Sequence, residues 1–288
     1  MAISEAGSAS VEYGLDALDL PAVGQEPWAR RLVRVVVPKL VAVGLLLGVW
    51  ELVSTVFGVP TDRFPSPSQV WAQFTDQWSQ GRVTGAIGTS LLHAAEGYAL
   101  AIALGTPLGL LIARVRVVRY AIGSIIAALL SLPSVVWALP ALFWFNLSPM
   151  LVIFVVVMGA FPSIASGTVA AVDQIPPLLL RVGDAMGARG FARYRHIILP
   201  AALPGYIAGM KQGWSFSWRS LMAAEIIVQV TSLGTGLGQL LDAGRSNDQM
   251  DLMFMSIILI LIVGVLVDSL VFAPLDRAVR RRRGLAVA

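Results

Sequence analysis

The stretch "GARGFARYRHIILPAALP", Gly187 to Pro204, packs Arg189, Arg193, Arg195 and His196 into a chain that is 57% hydrophobic and only 13% charged over 288 residues. A soluble domain has about 25% charged residues, so the composition marks an integral membrane protein. The basic stretch then reads as a break between two membrane spans. Gly187 to Pro200 is expected to form a short helix along the membrane face, with Phe191 and Tyr194 as its apolar contacts. Pro200 and Pro204 are expected to end that helix and start the next span.

A bilayer core about 30 Å thick takes about 20 apolar residues in a helix. Six segments qualify, at roughly 37–57, 86–112, 120–145, 149–171, 204–230 and 252–273. Pro107, Pro133, Pro140 and Pro162 fall inside them, and spanning helices tolerate proline where neighbours satisfy the freed carbonyls. The expected architecture is therefore an all-α bundle of about six transmembrane helices around a cavity. Strand-type alternation is absent, which argues against a β-barrel, and no internal repeat supports an inverted-repeat transporter. Residues 1–35 begin acidic and polar, without the basic region and apolar core of a signal peptide, and read as a tail. Residues 36–275 read as the membrane domain and 276–288 as a basic tail.

The basic residues orient the bundle. Sixteen of the 21 lysines and arginines fall at the N-terminus, after the second and fourth spans and at the C-terminus. The positive-inside rule puts those four segments, and both termini, in the cytoplasm. Clustering beside apolar runs is what membrane topology produces, and a nucleic-acid partner would need a basic face on a soluble fold. There is no cysteine, which excludes disulfides, thiolate metal sites and cysteine nucleophiles. Neither lysine, Lys39 nor Lys211, sits in a Gly-x4-Gly-Lys-Ser/Thr segment, so the chain is not read as an ATPase or as any enzyme.

Ionisable residues inside spans are costly and mark candidate functional positions. Glu51, His93, Glu96, Arg219, Glu225 and Asp268 are the six here. Arg219 falls near mid-bilayer in the fifth span, where its fork of donors could hold a planar oxoanion; the competing reading pairs it with an acid on a neighbouring span. Glu225, six residues on, lies about 240° further around the helix and reads as an anchor of that span or as a lining residue. His93 and Glu96, at i and i+3, read as a hydrogen-bonded packing pair in preference to a metal site. Trp137 and Trp218 are candidates for the path lining, with aromatic packing as the alternative, and Glu51 and Asp268 are expected to make interhelical bonds.

The spacing of the opening stretch carries a resemblance. Gly187, nine residues, Ile197, one residue and Leu199-Pro200 resemble the second half of the EAA loop of membrane subunits in binding-protein-dependent ABC importers. The loop's full form is Glu-Ala-Ala, three residues, Gly, nine residues, Ile, one residue, Leu-Pro. Arg181-Val182-Gly183 stands in the Glu-Ala-Ala place and departs from it. "FPSPSQVW" (Phe64 to Trp71), "LPSVVWALPALFWF" (Leu132 to Phe145), "GWSFSWRSLMAAEII" (Gly213 to Ile227) and the following "GLGQLL" are similar to permeases of nitrate, sulfonate, taurine and bicarbonate importers. The resemblance implies a type I ABC importer (MetI-like) permease fold in the plasma (inner) membrane. It implies a homodimer, two ATPase subunits that hold ATP and magnesium, and an extracytoplasmic substrate-binding protein. It also implies that a coupling helix, at about 184–196 with Gly187, Ala188, Arg189, Phe191, Arg193 and Tyr194, docks on the ATPase. The rival classes are an ion-coupled secondary transporter of a small anion and an intramembrane enzyme; the first leaves the loop spacing without explanation and no constellation supports the second.

Overall fold

The computed structural model describes residues 28–56, 60, 63–228 and 234–282, all of them helix or connecting turn with no strand among them. Residues 1–27 of the expected N-terminal tail and 283–288 of the basic C-terminal tail lie outside the described residues. The chain divides into two units, Met1–Val59 and Pro60–Ala288. The first contains one helix, α1 (Trp28–Val56). Its Val36–Val56 stretch is long and apolar enough to cross a membrane. Residues such as Leu40, Leu45, Leu46 and Val56 are exposed along it.

The second unit opens on α2 (Pro67–Ser79), set by a capping box. Ser66 Oγ accepts from Gln69 N (3.3 Å) and Ser66 N donates to Gln69 Oε1 (2.9 Å), with Pro67 in the first turn, so orphan amides of the helix start are satisfied. Trp71, Phe74 and Trp78 form an aromatic ladder along it, with ring centroids 5.3 and 5.5 Å apart, a composition suited to the membrane–water boundary. Three long helices then make the core: α3 (Arg82–Arg114), α6 (Pro149–Asp173) and, later, α9 (Leu199–Ile227). The middle one, α6, packs along both others and buries Leu151, Val155, Val156, Ile164 and Ala165.

Small residues let these helices approach. A Cβ on Gly167 would lie 2.6 Å from Gly209 Cα, and one on Gly209 would lie 2.8 Å from Gly167 Cα. The α6–α9 crossing is therefore backbone on backbone, the packing that works where lipid offers no hydrophobic drive. Polar bonds join α3 to α9 as well: Tyr98 Oη donates to Met210 O (2.8 Å), and the Thr106 and Tyr206 hydroxyls meet at 2.7 Å.

The third expected span, 120–145, is not one helix. It is α4 (Arg116–Ser131), a 3-10 turn (Ser134–Trp137) and α5 (Ala138–Phe145), with a 99° bend at the break. Leu132 is extended (φ −80°, ψ 130°), the conformation a following proline enforces.

The basic stretch also departs from expectation. α7 (Pro177–Ala185) ends before it, and a one-turn α8 (Gly190–Arg193) runs through a π turn (Tyr194–Ile198) straight into α9. Pro200 and Pro204 therefore do not separate a surface helix from the fifth span. Leu199 N reaches back to Tyr194 O, a five-residue step that has already re-registered the ladder where Pro200 removes a donor.

The last span joins α11 (Met250–Val267), a π turn (Asp268–Phe272) and α12 (Ala273–Arg282), after a ten-residue α10 (Leu237–Ser246). At about 15 Å, α10 is too short to cross a bilayer. Among the described residues four helices are long and apolar enough to span, or five if the bent pair counts as one. The remaining expected span, α9, has 29 residues, about 44 Å of helix. Its polar side chains lower its apolar character, and their placement is where the candidate sites lie.

Candidate functional site

Two ionisable residues of α9 have opposite surroundings. Glu225 is 1% exposed and accepts from Ser90 Oγ of α3 (2.7 and 2.9 Å to its two oxygens) and from Gly238 N of α10 (2.9 Å). His93 Nδ1 lies 3.4 Å from Oε1. Ser90 Oγ in turn accepts from Leu237 N (2.9 Å), and Gln239 Nε2 donates to Val228 O (2.9 Å). A buried carboxylate is costly unless its lone pairs are met, and here the start of α10 supplies one donor directly, Gly238 N, and a second, Leu237 N, to the Ser90 hydroxyl that bonds the carboxylate. The knot fastens α10 to α3 and α9. His93 is thus not paired with Glu96: Glu96 is exposed, while the Ser90–His93–Gly97 face turns inward, so a tertiary partner replaces the i+3 neighbour. No group of three His, Asp or Glu side chains gathers as a metal site among the described residues.

Arg219 is exposed. Its Nε donates to Ser215 O (3.0 Å) and its guanidinium carbon lies 5.0 Å from the Phe216 ring centroid. Among the described residues no carboxylate pairs with it, so the expected acid on a neighbouring span is not found. Arg219 borders a cavity of about 370 Å³ at the bend of the broken span, together with Ser131, Pro133, Ser134, Gly159 and Phe216. Ser220 Oγ, bonded to Ser134 Oγ (2.6 Å) and Phe216 O (2.7 Å), ties α9 to that bend. A second cavity of about 470 Å³ shares Arg219 and is walled by Trp214, Trp218, Gly264 and Asp268.

The other singled-out residues fall around these cavities or away from them. Trp218 stacks with Trp214 (6.1 Å, 22°) and donates its Nε1–H to Ile260 O (3.2 Å), so it is packed as well as lining. Trp137 stands edge-on to Phe154 at 6.3 Å and does not border the first cavity. Asp268 makes the interhelical bond expected of it, to Lys211 Nζ at 3.0 Å. Glu51 lies on α1, in the other unit.

The basic stretch is built around Gly187, whose φ is +79°. Ala188 N donates to Gly183 O (3.0 Å) and Gly187 N to Asp184 O (3.1 Å), the paired bonds that close a helix on a left-handed glycine. Gly183, third in the Arg181-Val182-Gly183 set, is buried, and a Cβ there would meet Ile197 Cδ1. Ile197 of the Ile-x-Leu-Pro group therefore packs on the end of α7, and the departure at Gly183 keeps the site small.

The two aromatic residues of the stretch separate. Phe191 is 79% exposed and so, at 82%, is Met186, which the sequence reading passed over. Tyr194 is half-buried against Ala171, Ile175, Ile198 and Ala202, with the Arg114 guanidinium 4.8 Å above its ring. Arg193 Nη1 holds Asp184 Oδ1 at 3.2 Å across the turn. Ala188 and Arg189 form the non-helical link to Gly190.

Residues 105–281 match the family described as "Binding-protein-dependent transport system inner membrane component". A putative ABC transporter permease protein of Methanocaldococcus jannaschii is 30% identical over 179 residues, 62% of this chain and 66% of that one. A putative aliphatic sulfonates transport permease protein of Bacillus subtilis is 23% identical over 79% of this chain and 81% of its own length. A nitrate import permease protein of Leptolyngbya laminosa is 25% identical over 84% and 87%. Among solved structures, a chain of the MetNI methionine ABC transporter in inward-facing conformations superposes with a TM-score of 0.59. That match covers 67% of this chain and 94% of the other at 20% identity, and so speaks to the fold.

Proposed function

The chain belongs to the family of binding-protein-dependent transport system inner membrane components, and on that premise we propose that it passes a small oxoanion, of the sulfonate or nitrate kind, through the cavity beside Arg219. It is a multi-pass membrane permease of an ABC importer. In the proposed assembly two copies face each other, two ATPase subunits dock from the cytoplasm, and a binding protein delivers solute from outside. In this reading both termini lie in the cytoplasm, which the distribution of basic residues supports. The ATPases hold ATP and magnesium, and their closure moves the Gly187 turn and, through the unbroken α8–α9 connection, the helix that carries Arg219.

One observation carries the substrate class. Arg219 sits on α9, read as the fifth span, exposed, next to a cavity and with no paired carboxylate among the described residues. A lone guanidinium in a low-dielectric path attracts anions and matches a planar oxoanion by paired hydrogen bonds. The sulfonate and nitrate permeases among the similar proteins support the same class. Docking on the ATPase is proposed for Met186 and Phe191, which stand out from the turn, while Arg193 and Tyr194 brace it from behind.

The test is uptake by the assembled transporter in proteoliposomes, with labelled alkanesulfonate and nitrate as probes. Arg219→Gln should lower uptake by about tenfold or more, the scale of one charged hydrogen bond, without loss of assembly. Unchanged uptake would remove Arg219 from the path, and transport without any ATPase subunit would remove the coupling scheme. For orientation, cysteines at Ser79 and Ser246 should react with an impermeant thiol reagent from outside intact cells and one at Arg189 should not; labelling at 189 reverses the topology.

A further inference from the structure

We propose that a third cavity, behind the Gly187 turn, binds a tetrahedral oxoanion of the phosphate or sulfate type between Arg114 and Arg193. The cavity has a volume of about 360 Å³ and lies where the end of α3 (Arg114), the end of α6 (Val172, Ile175), α7 (Leu180) and α8 (Arg193) converge with Tyr194. Met186 and Phe191 do not line it, so it is separate from the proposed docking face.

The state of its two arginines points to the ligand. The neighbouring Arg119 is fully engaged: Nε donates to Ile112 O (3.3 Å), and Nη1 and Nη2 reach Asp173 (3.1 and 2.7 Å) and Ala113 O (3.1 Å). Arg193 uses Nη1 on Asp184, yet its Nε is buried and has no hydrogen-bond partner. A buried donor left unmet destabilises the fold. Arg114 has an aromatic face beneath it and no carboxylate among the described residues. Of the two guanidinium groups at this cavity only Arg193 has a carboxylate partner among the described residues, and the cavity has an apolar floor of Val172, Ile175 and Leu180. A tetrahedral oxoanion offers several acceptors to such forked donors, and the apolar floor strengthens the attraction by excluding water. It would bridge α3 to α8 and tie the coupling turn to the bundle. The phosphate of an anionic lipid headgroup and a free cytoplasmic oxoanion share this chemistry.

The test uses the full-length chain in phosphatidylcholine nanodiscs and follows the thermal unfolding midpoint, since a ligand of the folded state raises it with concentration. In one arm sulfate replaces chloride at constant ionic strength; in the other phosphatidylglycerol replaces part of the lipid. The wild-type protein should show a saturable rise in the sulfate arm for a free oxoanion, or in the lipid arm for a headgroup. Arg114→Gln should weaken the response by about tenfold or more, and Arg193→Gln should do the same. Arg116→Gln, exposed and outside the cavity, should respond as wild type. No rise in either arm, or the same rise in Arg114→Gln as in wild type, overturns the site. Because the measurement needs neither ATPase nor transport, its outcome is independent of the proposed transport function.

Discussion

Arg219 and Glu225 sit six residues apart on α9, and the protein treats them in opposite ways. Glu225 is 1% exposed and its carboxylate is met by Ser90, His93 and an amide of α10. Arg219 is exposed beside a cavity, where among the described residues it bonds one backbone carbonyl and lies over an aromatic ring. Both are expensive in a membrane, but the cost is offset in different places. Glu225 is hydrogen-bonded within the fold and so holds it together. Arg219 keeps its binding capacity and so offers it to something that arrives later. A charge within a span therefore says little about function until its partners are known.

Removing Glu225 is the strongest way to break this comparison. Glu225→Ala leaves buried donors of α3 and α10 unmet, and a loss of about 3 kcal/mol or more is expected, read as a fall in the thermal midpoint of the purified permease or in its membrane yield. A midpoint equal to wild type would show that the knot does not hold α10. Next in size is Arg219→Gln, for which uptake should fall by about tenfold, or 1.4 kcal/mol, while the midpoint stays within about 0.5 kcal/mol of wild type. A large drop in stability instead would make Arg219 a second structural residue and erase the contrast.

Ser90→Ala sharpens the picture, because Ser90 donates to Glu225 and accepts from Leu237 at once. About 1–2 kcal/mol should be lost, and combined with Glu225→Ala the losses should be strongly non-additive; simple addition would mean two independent contacts. The smallest stability effect is expected at Phe191. Phe191→Ala should change the midpoint by no more than about 0.5 kcal/mol, against about 1–2 kcal/mol for the half-buried Tyr194→Ala. Substrate-stimulated ATP hydrolysis by the complex should nevertheless fall in Phe191→Ala. Full stimulation there would place ATPase docking elsewhere.

Much of the membrane layout was legible from residue order. Twenty apolar residues in a row have few other uses, so the positions of the spans follow from composition, and the glycine that stops α7 is marked by the spacing to Ile197 and Leu199-Pro200. The bend was less legible, because proline alone does not decide it. Pro107, Pro162 and Pro204 all sit inside helices that pack on one another, whereas Leu132-Pro133 breaks one. What differs is whether neighbouring helices hold the chain on course, and that is a property of packing. The two aromatic residues of the basic stretch looked equivalent as well. Which one faces outward depends on the direction in which α8 leaves the turn.

Local order thus determined what one segment can decide by itself: which stretches are apolar enough for lipid and where a left-handed residue is needed. Those are nearest-neighbour and solvent-transfer effects, and they act before any helix meets another. Only the tertiary structure decided which ionisable groups are spent and which remain available. Glu225 finds Ser90 and His93 across 135 and 132 residues, and no spacing rule reaches that far. The donors that satisfy a buried carboxylate are set by how three helices converge, whereas the helical pattern of α9 constrains only the angle at which Glu225 and Arg219 leave it.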